Sequence, residues 1–151
     1  MADCKPIATP IKTRAPTGSQ EPTYKLWYQQ VVGSLMYLML GTHPDMAFAV
    51  GYLGRFCAAL TVAHWKFAKR VLRYVQGCIN RGIILGTKNG LTGYSDADWA
   101  GDKEDRKSTS GSVFLLHGRA ISWASKKQTS VVLSMIKAEY IALLNASKDA
   151  C

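Results

Sequence analysis

The sequence contains few of the residues that build disulfide-rich domains, zinc sites or membrane spans. Its 151 residues include four cysteines, which lie far apart without a C-x-x-C pair, and three scattered histidines. Such spacing favours reduced thiols over a disulfide framework or a zinc site. Apolar runs all stop well short of about 18 residues and no secretory signal is visible, so we expect no membrane partner. These absences favour an intracellular protein, either cytoplasmic or nuclear.

Acidic residues are also scarce relative to basic ones. The chain has 19 Lys and Arg against 10 Asp and Glu, which gives a formal net charge of +9. Such an excess favours a polyanionic partner, because cations that neutralise phosphates release bound counterions. An apolar content of 48% indicates a globular protein and argues against a disordered one. Nucleic acid is therefore the first partner to consider.

The residue pattern divides the chain into three segments and predicts an α+β fold. Residues 1–23 contain four of the five prolines, which predicts an extended linker that buries little. Residues 24–86 are helical in pattern, with helices predicted over about 26–40, 44–57 and 62–76. Thr61 is the expected N-cap of the third helix.

The third segment, residues 87–151, changes to a strand-rich pattern. Strands are predicted over 91–98, 112–117 and 120–124, and a tight turn at Gly118 and Arg119 joins the last two as a hairpin. A helix is predicted over 133–148. The segment is therefore expected to form a three-stranded antiparallel meander followed by one helix.

The third helix of the second segment combines an apolar and a basic stripe. Trp65, Ala68, Leu72 and Val75 follow helical spacing and are expected to be buried. A second face carries cations at i, i+3, i+4 and i+7 with no acidic partner among them: Lys66, Lys69, Arg70 and Arg73. This face is either solvated surface or a contact for nucleic-acid phosphates.

Two acidic residues end the first predicted strand. Asp96 and Asp98 are two positions apart, so their side chains point to the same face of a strand. Carboxylate oxygens are suitable ligands for magnesium, and this pair is a plausible half of a divalent-metal site. A solvated turn rich in Asp and Gly would produce the same spacing.

Five long motifs, in this order along the chain, resemble the C-terminal part of the Pol polyprotein of copia-type retrotransposons. They are YQQVVGSLMYL (28–38), HPDMAFAVGYLGRF (43–56), VAHWKFAKRVLRYVQG (62–77), YSDADWAGDKEDRKSTSG (94–111) and AISWASKKQ (120–128). In that family this part holds the end of the reverse transcriptase followed by ribonuclease H. The resemblance implies a ribonuclease H-like fold after residue 87.

The resemblance also implies roles for particular acids. Ribonuclease H-like enzymes use carboxylates to hold divalent ions that cleave the RNA strand of an RNA–DNA hybrid. The Tyr-x-Asp strand ending corresponds to Asp96, with Asp98 as the weaker alternative, and the Ala-Glu-Tyr stretch of the first helix corresponds to Glu139. A helical wheel predicts a face buried through Val132, Ile136, Tyr140 and Leu143, with Glu139 on its shoulder and Ile141 and Asn145 at the solvent pole.

Three departures from the family pattern lead us to expect weak or absent magnesium binding and no turnover. Lys137 replaces an acid of the family pattern close to Glu139. The family's third and fourth carboxylates have no counterpart in the sequence, and two carboxylates alone hold magnesium poorly. Without a neighbouring parallel strand, residues 91–98 are expected to form an exposed sheet edge.

The sequence therefore leaves three functions open. The chain is a polyprotein fragment with an incomplete ribonuclease H-like catalytic set, or a basic module that binds nucleic acid, or a remnant that recruits a protein partner at its open sheet edge. The second function would use the basic stripe of the third helix together with Lys126, Lys127 and the loop that carries Arg106 and Lys107.

Overall fold

The computed structural model describes residues 4–11, 24–84, 90–102 and 104–150. The chain folds into two compact units that divide between Gly82 and Ile83. The elements follow the predicted order and confirm the α+β class: α1 Lys25–Gly41, a 3-10 turn Pro44–Met46, α2 Ala47–Gly54, α3 Val62–Gly77, β1 Leu91–Asp98, β2 Thr109–Leu116, β3 Arg119–Lys127 and α4 Met135–Asp149. None of the described helices is long and apolar enough to cross a bilayer.

The first unit is built from α1, α2 and α3 around one apolar core. Its largest fully buried side chains are Tyr28, Leu35, Met46, Leu53, His64, Val50 and Val71. The Tyr28 hydroxyl donates to the carbonyl oxygen of Leu53 at 2.7 Å, so the buried phenol keeps a hydrogen-bond partner. Burial also raises the pKa of Tyr28 above its ordinary value. Pro44 begins the predicted second helix as a 3-10 turn, and α2 ends at Gly54, earlier than expected.

Helix α3 begins at the predicted cap but buries a different stripe. The Thr61 hydroxyl accepts from the His64 amide, and the His64 ring nitrogen Nδ1 accepts from the Thr61 amide, which forms a capping box. The buried residues of α3 are His64, Phe67, Ala68, Val71 and Tyr74. Of the predicted stripe only Ala68 is buried, whereas Trp65, Leu72 and Val75 flank the core. The prediction was therefore right for Ala68 and only partly right for the other three residues, because the most buried side of α3 also includes His64, which stacks on Phe56 at 3.8 Å.

Residues 4–11, which we call the leader segment, pack against the first unit. Ile7 and Ile11 contact its apolar core. At the end of α3, an added Cβ on Gly77 would lie only 3.2 Å from Cβ of Pro6, so a larger residue at this position would crowd the leader segment. The prediction that this part of the chain buries little was therefore wrong for residues 4–11. Residues 12–23 of the predicted linker lie outside the described residues.

The second unit contains a three-stranded antiparallel sheet in the order β1-β2-β3. Its hairpin turn is formed by His117 and Gly118, because Leu116 pairs with Arg119. Both turn residues have positive φ, 52° and 76°, as the tight turns favoured between antiparallel strands require. The predicted turn was thus displaced by one residue. Strand β1 has its predicted bounds, while β2 begins earlier and β3 ends later than expected.

Helix α4 packs on the sheet through alanines. Ala138, Ala142 and Ala146 are its buried residues, and Glu139 beside them is half-buried. The predicted buried face was wrong, because Ile136, Tyr140 and Leu143 are 79%, 71% and 55% exposed. The supposed solvent pole, Ile141 and Asn145, is half-buried. Small side chains let a helix approach the sheet closely, whereas the larger ones of α4 point away from it.

Candidate functional site

The junction of β1 and α4 brings together the two segments that carry the predicted metal ligands. Ala97 of β1 and Ala138 and Ala142 of α4 form one buried cluster, with Val132 packed against it. Asp96 directly precedes Ala97, and Glu139 directly follows Ala138. The backbones that carry these two carboxylates therefore meet at the point where α4 lies on β1.

The side chains of the two β1 aspartates leave the strand on the face opposite α4. Ala97 is buried, while its neighbours Asp96 and Asp98 are exposed. Because successive side chains of a strand alternate between faces, burial of Ala97 under α4 directs both aspartates away from that helix. Oδ1 of Asp96 accepts from the amide of Ala97 at 2.8 Å. An ion shared with Glu139 would require that side chain to extend past β1, so the shared site stays a prediction.

Asp98 has a structural role at the start of the loop between β1 and β2. Its Oδ1 accepts a short hydrogen bond from the amide of Thr109, which closes this end of the β1–β2 pair. A side chain at Gly101 would collide with the Asp98 carboxylate. The weaker metal-ligand alternative thus holds the loop against the strand.

Magnesium requires a nearly complete octahedral set of oxygen ligands. Among the described residues, no three His, Cys, Asp or Glu side chains lie close enough together to hold a metal ion. Asp96 and Asp98 share a strand face, and Asp98 also binds the loop backbone. The residues that the structure describes therefore do not fit a full magnesium site.

The loop between β1 and β2 forms ion pairs with Lys127, one of the lysines predicted to bind nucleic acid. Nζ of Lys127 lies 2.6 Å from Oδ2 of buried Asp102 and 2.8 Å from Oδ2 of Asp105. The hydrogen bond from Lys127 lowers the pKa of the Asp105 carboxyl. These ion pairs occupy Lys127 inside the unit, whereas Lys126 is exposed. Sequence reasoning missed these ion pairs because Asp102 and Asp105 are distant from Lys127 in the sequence and meet it only after the strands pair.

Gln128, the last residue of the fifth motif, ties α4 to the sheet. It is 5% exposed, and its Nε2 donates to Oγ of Ser110 at 2.9 Å and to the carbonyl oxygen of Ala138 at 3.0 Å. Its backbone amide donates to the carbonyl of Ser108 at 2.8 Å. The bond to Ala138 fixes the peptide group that immediately precedes Glu139. The sequence signal was only a polar residue at the end of the fifth motif, four positions after the predicted strand over 120–124.

The basic stripe of α3 is divided between solvent and the leader segment. Lys66 and Lys69 are exposed, and Nζ of Lys69 lies 5.6 Å from the centre of the Trp65 ring. Nη2 of Arg70 donates to the carbonyl oxygen of Thr9 at 3.2 Å and to its hydroxyl at 3.0 Å. Nε of Arg73 donates to the carbonyl oxygen of Lys5 at 2.7 Å. Two of the four predicted phosphate contacts are thus engaged within the chain.

Curated relatives cover nearly all of the chain. It is 50% identical over 126 residues to secreted RxLR effector protein 161 of Plasmopara viticola, a match that spans 82% of this chain and 88% of that protein. It is 42% identical to the retrovirus-related Pol polyprotein of transposon TNT 1-94 of Nicotiana tabacum, and 43% identical to that of transposon RE2 of Arabidopsis thaliana. These two matches span 99% of this chain but only 12% and 10% of the polyproteins. No family model and no solved structure matches.

Replacing Gln128 by Ala should loosen α4 from the sheet. The change removes both side-chain bonds that link Ser110 to the helix, so the free energy of opening α4 should fall by about 1–3 kcal/mol. Hydrogen exchange of the α4 amides measures this directly. Thr129→Ala, an exposed truncation at the next position, is the matched control. Equal protection of α4 in the two variants would contradict the role given to Gln128.

Proposed function

The chain belongs to the family of copia-type retrotransposon Pol polyproteins, and we propose that it carries the end of a reverse transcriptase followed by the first half of a ribonuclease H domain. The order of elements supports this assignment, because a helical unit precedes an antiparallel β1-β2-β3 meander and a helix that packs on it. The chain spans about an eighth or less of the length of the Pol polyproteins that it matches. We therefore propose that the segment derives from such a polyprotein, and we do not assign the activity of the whole polyprotein to it.

One observation carries the ribonuclease H assignment, and it is the packing of α4 on β1. The contact between Ala97 and Ala138 places the strand segment with Asp96 next to the helix segment with Glu139. In the proposed ancestral reaction, such carboxylates hold divalent ions that promote hydrolysis of the RNA strand in an RNA–DNA hybrid. Within this chain, Gln128 holds the peptide before Glu139, and Asp98 holds the loop that follows Asp96.

The catalytic set of the described residues is incomplete, so the chain alone is proposed to be inactive. Asp96 and Glu139 supply two carboxylates, and no third His, Cys, Asp or Glu joins them among the described residues. Lys137, two residues before Glu139, adds a cation to the same end of α4. A positive charge there competes with a metal ion for the carboxylates.

The purified chain should show no magnesium-dependent cleavage of an RNA–DNA hybrid above the background of a buffer control. The reason is the incomplete ligand set around Asp96 and Glu139. A hybrid labelled on the RNA strand measures cleavage directly, with Asp96→Asn and Glu139→Gln assayed beside it. Cleavage that requires magnesium and disappears in both variants would contradict proposed inactivity while supporting the ribonuclease H assignment.

A second function, binding of duplex nucleic acid, is favoured by the exposed part of the α3 basic face. Lys66 and Lys69 project from a helix that contains no acidic residue, in a chain of net charge +9. No acidic residue of the same helix can pair with these two lysines, which favours their contact with phosphates. This function needs no catalytic set and is compatible with an inactive ribonuclease H segment.

Duplex affinity should therefore fall with salt in a way that depends on these two lysines. Each neutralised phosphate contributes about −0.9 to the log–log slope on duplex DNA, so Lys66 and Lys69 together should contribute roughly −2. Fluorescence anisotropy at several salt concentrations measures the slope, and Lys66→Gln/Lys69→Gln should flatten it by that amount. The control Lys25→Gln/Lys148→Gln removes the same charge from two other exposed positions. Equal flattening in the two double variants would show that only net charge matters.

A further inference from the structure

We propose that the leader segment acts as a cover that withholds Arg70 and Arg73 of α3 from nucleic-acid phosphates. While the cover is in place, only Lys66 and Lys69 of the basic stripe are available to a duplex. Release of the cover would complete a phosphate-binding surface of four cations. The inference rests on the proposed nucleic-acid binding of α3 and adds a means of regulating it.

The polar contacts of the leader segment use donors that a phosphate would use. Arg70 gives Nη2 to two oxygens of Thr9, its carbonyl and its hydroxyl. Arg73 gives Nε to the carbonyl oxygen of Lys5 at 2.7 Å. Guanidinium groups bind phosphates through these same N–H groups. A phosphate therefore cannot form these bonds until the leader oxygens have left.

Apolar contacts hold the leader segment in place independently of charge. Ile7 and Ile11 pack against the core of the first unit, and Pro6 lies against Gly77 at the end of α3. Salt weakens electrostatic contacts between exposed groups far more than it weakens apolar burial. The cover should accordingly remain docked over the salt range in which duplex binding is measured.

The leader segment provides acceptors for only some of the hydrogen-bond donors of Arg70. Among the described residues, Nε of Arg70 is buried without a hydrogen-bond partner, although its Nη2 has two acceptors. A buried donor of a charged group that lacks an acceptor is costly. A phosphodiester offers charged oxygens to several guanidinium donors at once, so Arg70 gains a better partner when the cover leaves. The geometry thus favours exchange of the Thr9 oxygens for phosphate oxygens as the acceptors of Arg70.

The full-length variant Ile7→Ser/Ile11→Ser tests the cover, because it removes the apolar contacts without changing net charge. Its log–log salt slope on duplex DNA should be steeper than that of the unmodified chain by about 2, from two added contacts of about −0.9 each. Between 50 and 200 mM salt it should therefore lose roughly tenfold more affinity than the unmodified chain. Gly77→Val, which crowds Pro6 from the side of the helix, should steepen the slope in the same direction.

The pair Arg70→Gln/Arg73→Gln, made in both backgrounds, identifies the source of the change. It should leave the slope of the unmodified chain unchanged and should return the uncovered variant to that same slope. Hydrogen exchange of α3 shows whether each variant keeps the helix folded, and Gly77→Val serves if the serine pair does not. Binding with the same slope in covered and uncovered chains would overturn the cover alone. Absence of binding in every variant would overturn the proposed nucleic-acid function and the cover with it.

Discussion

The close approach of α4 to β1 through alanines is the contact on which the second unit depends. Ala97, Ala138 and Ala142 are buried together at the helix–sheet interface, with Val132 packed against them. Gln128 completes the contact, because it bridges the sheet hydroxyl of Ser110 and the helix carbonyl of Ala138. This arrangement brings the neighbours of Ala97 and Ala138, the two predicted carboxylates, to one end of the unit. It also leaves Ile136, Tyr140 and Leu143 exposed on the other side of the helix.

Much of the basic character of the chain is used within the chain. Lys127 is paired with Asp102 and Asp105, and Arg70 and Arg73 bind oxygens of the leader segment. Net charge therefore overstates the surface available to a polyanion. These contacts also stabilise the fold, because Lys127 binds the loop after β1 and the two arginines hold the leader segment on α3. The proposed nucleic-acid binding depends more on which cations are exposed than on their total number.

Sequence reasoning predicted the elements well and their buried faces poorly. The bounds of β1 and the cap at Thr61 follow from short-range patterns, and both were confirmed. The buried face predicted for α4 was wrong because the pattern gives most weight to large apolar residues, whereas the helix packs on the sheet through alanines. The buried stripe predicted for α3 was only partly right, because His64, which a hydropathy pattern places outside, is buried, while Trp65, Leu72 and Val75 are partly buried against the core. Packing of residues 4–11 on α3 depends on long-range contacts that no local pattern contains.

The candidate carboxylates came from the family resemblance, and the structure adds the contact that joins their segments. Binding of Mn²⁺, a hard cation that accepts the oxygen ligands of magnesium, tests most directly whether Asp96 and Glu139 act as one site. Because the described residues supply an incomplete ligand set, titration followed by the paramagnetic signal of free Mn²⁺ should show only weak binding by the unmodified chain. Asp96→Asn, Glu139→Gln and the double variant should reduce that weak binding equally, since the proposed site needs both groups on one ion. Glu104→Gln, which removes the same charge from an exposed loop position, should leave binding unchanged. Full binding by Glu139→Gln would contradict the account and would leave the ion to the β1 aspartates alone.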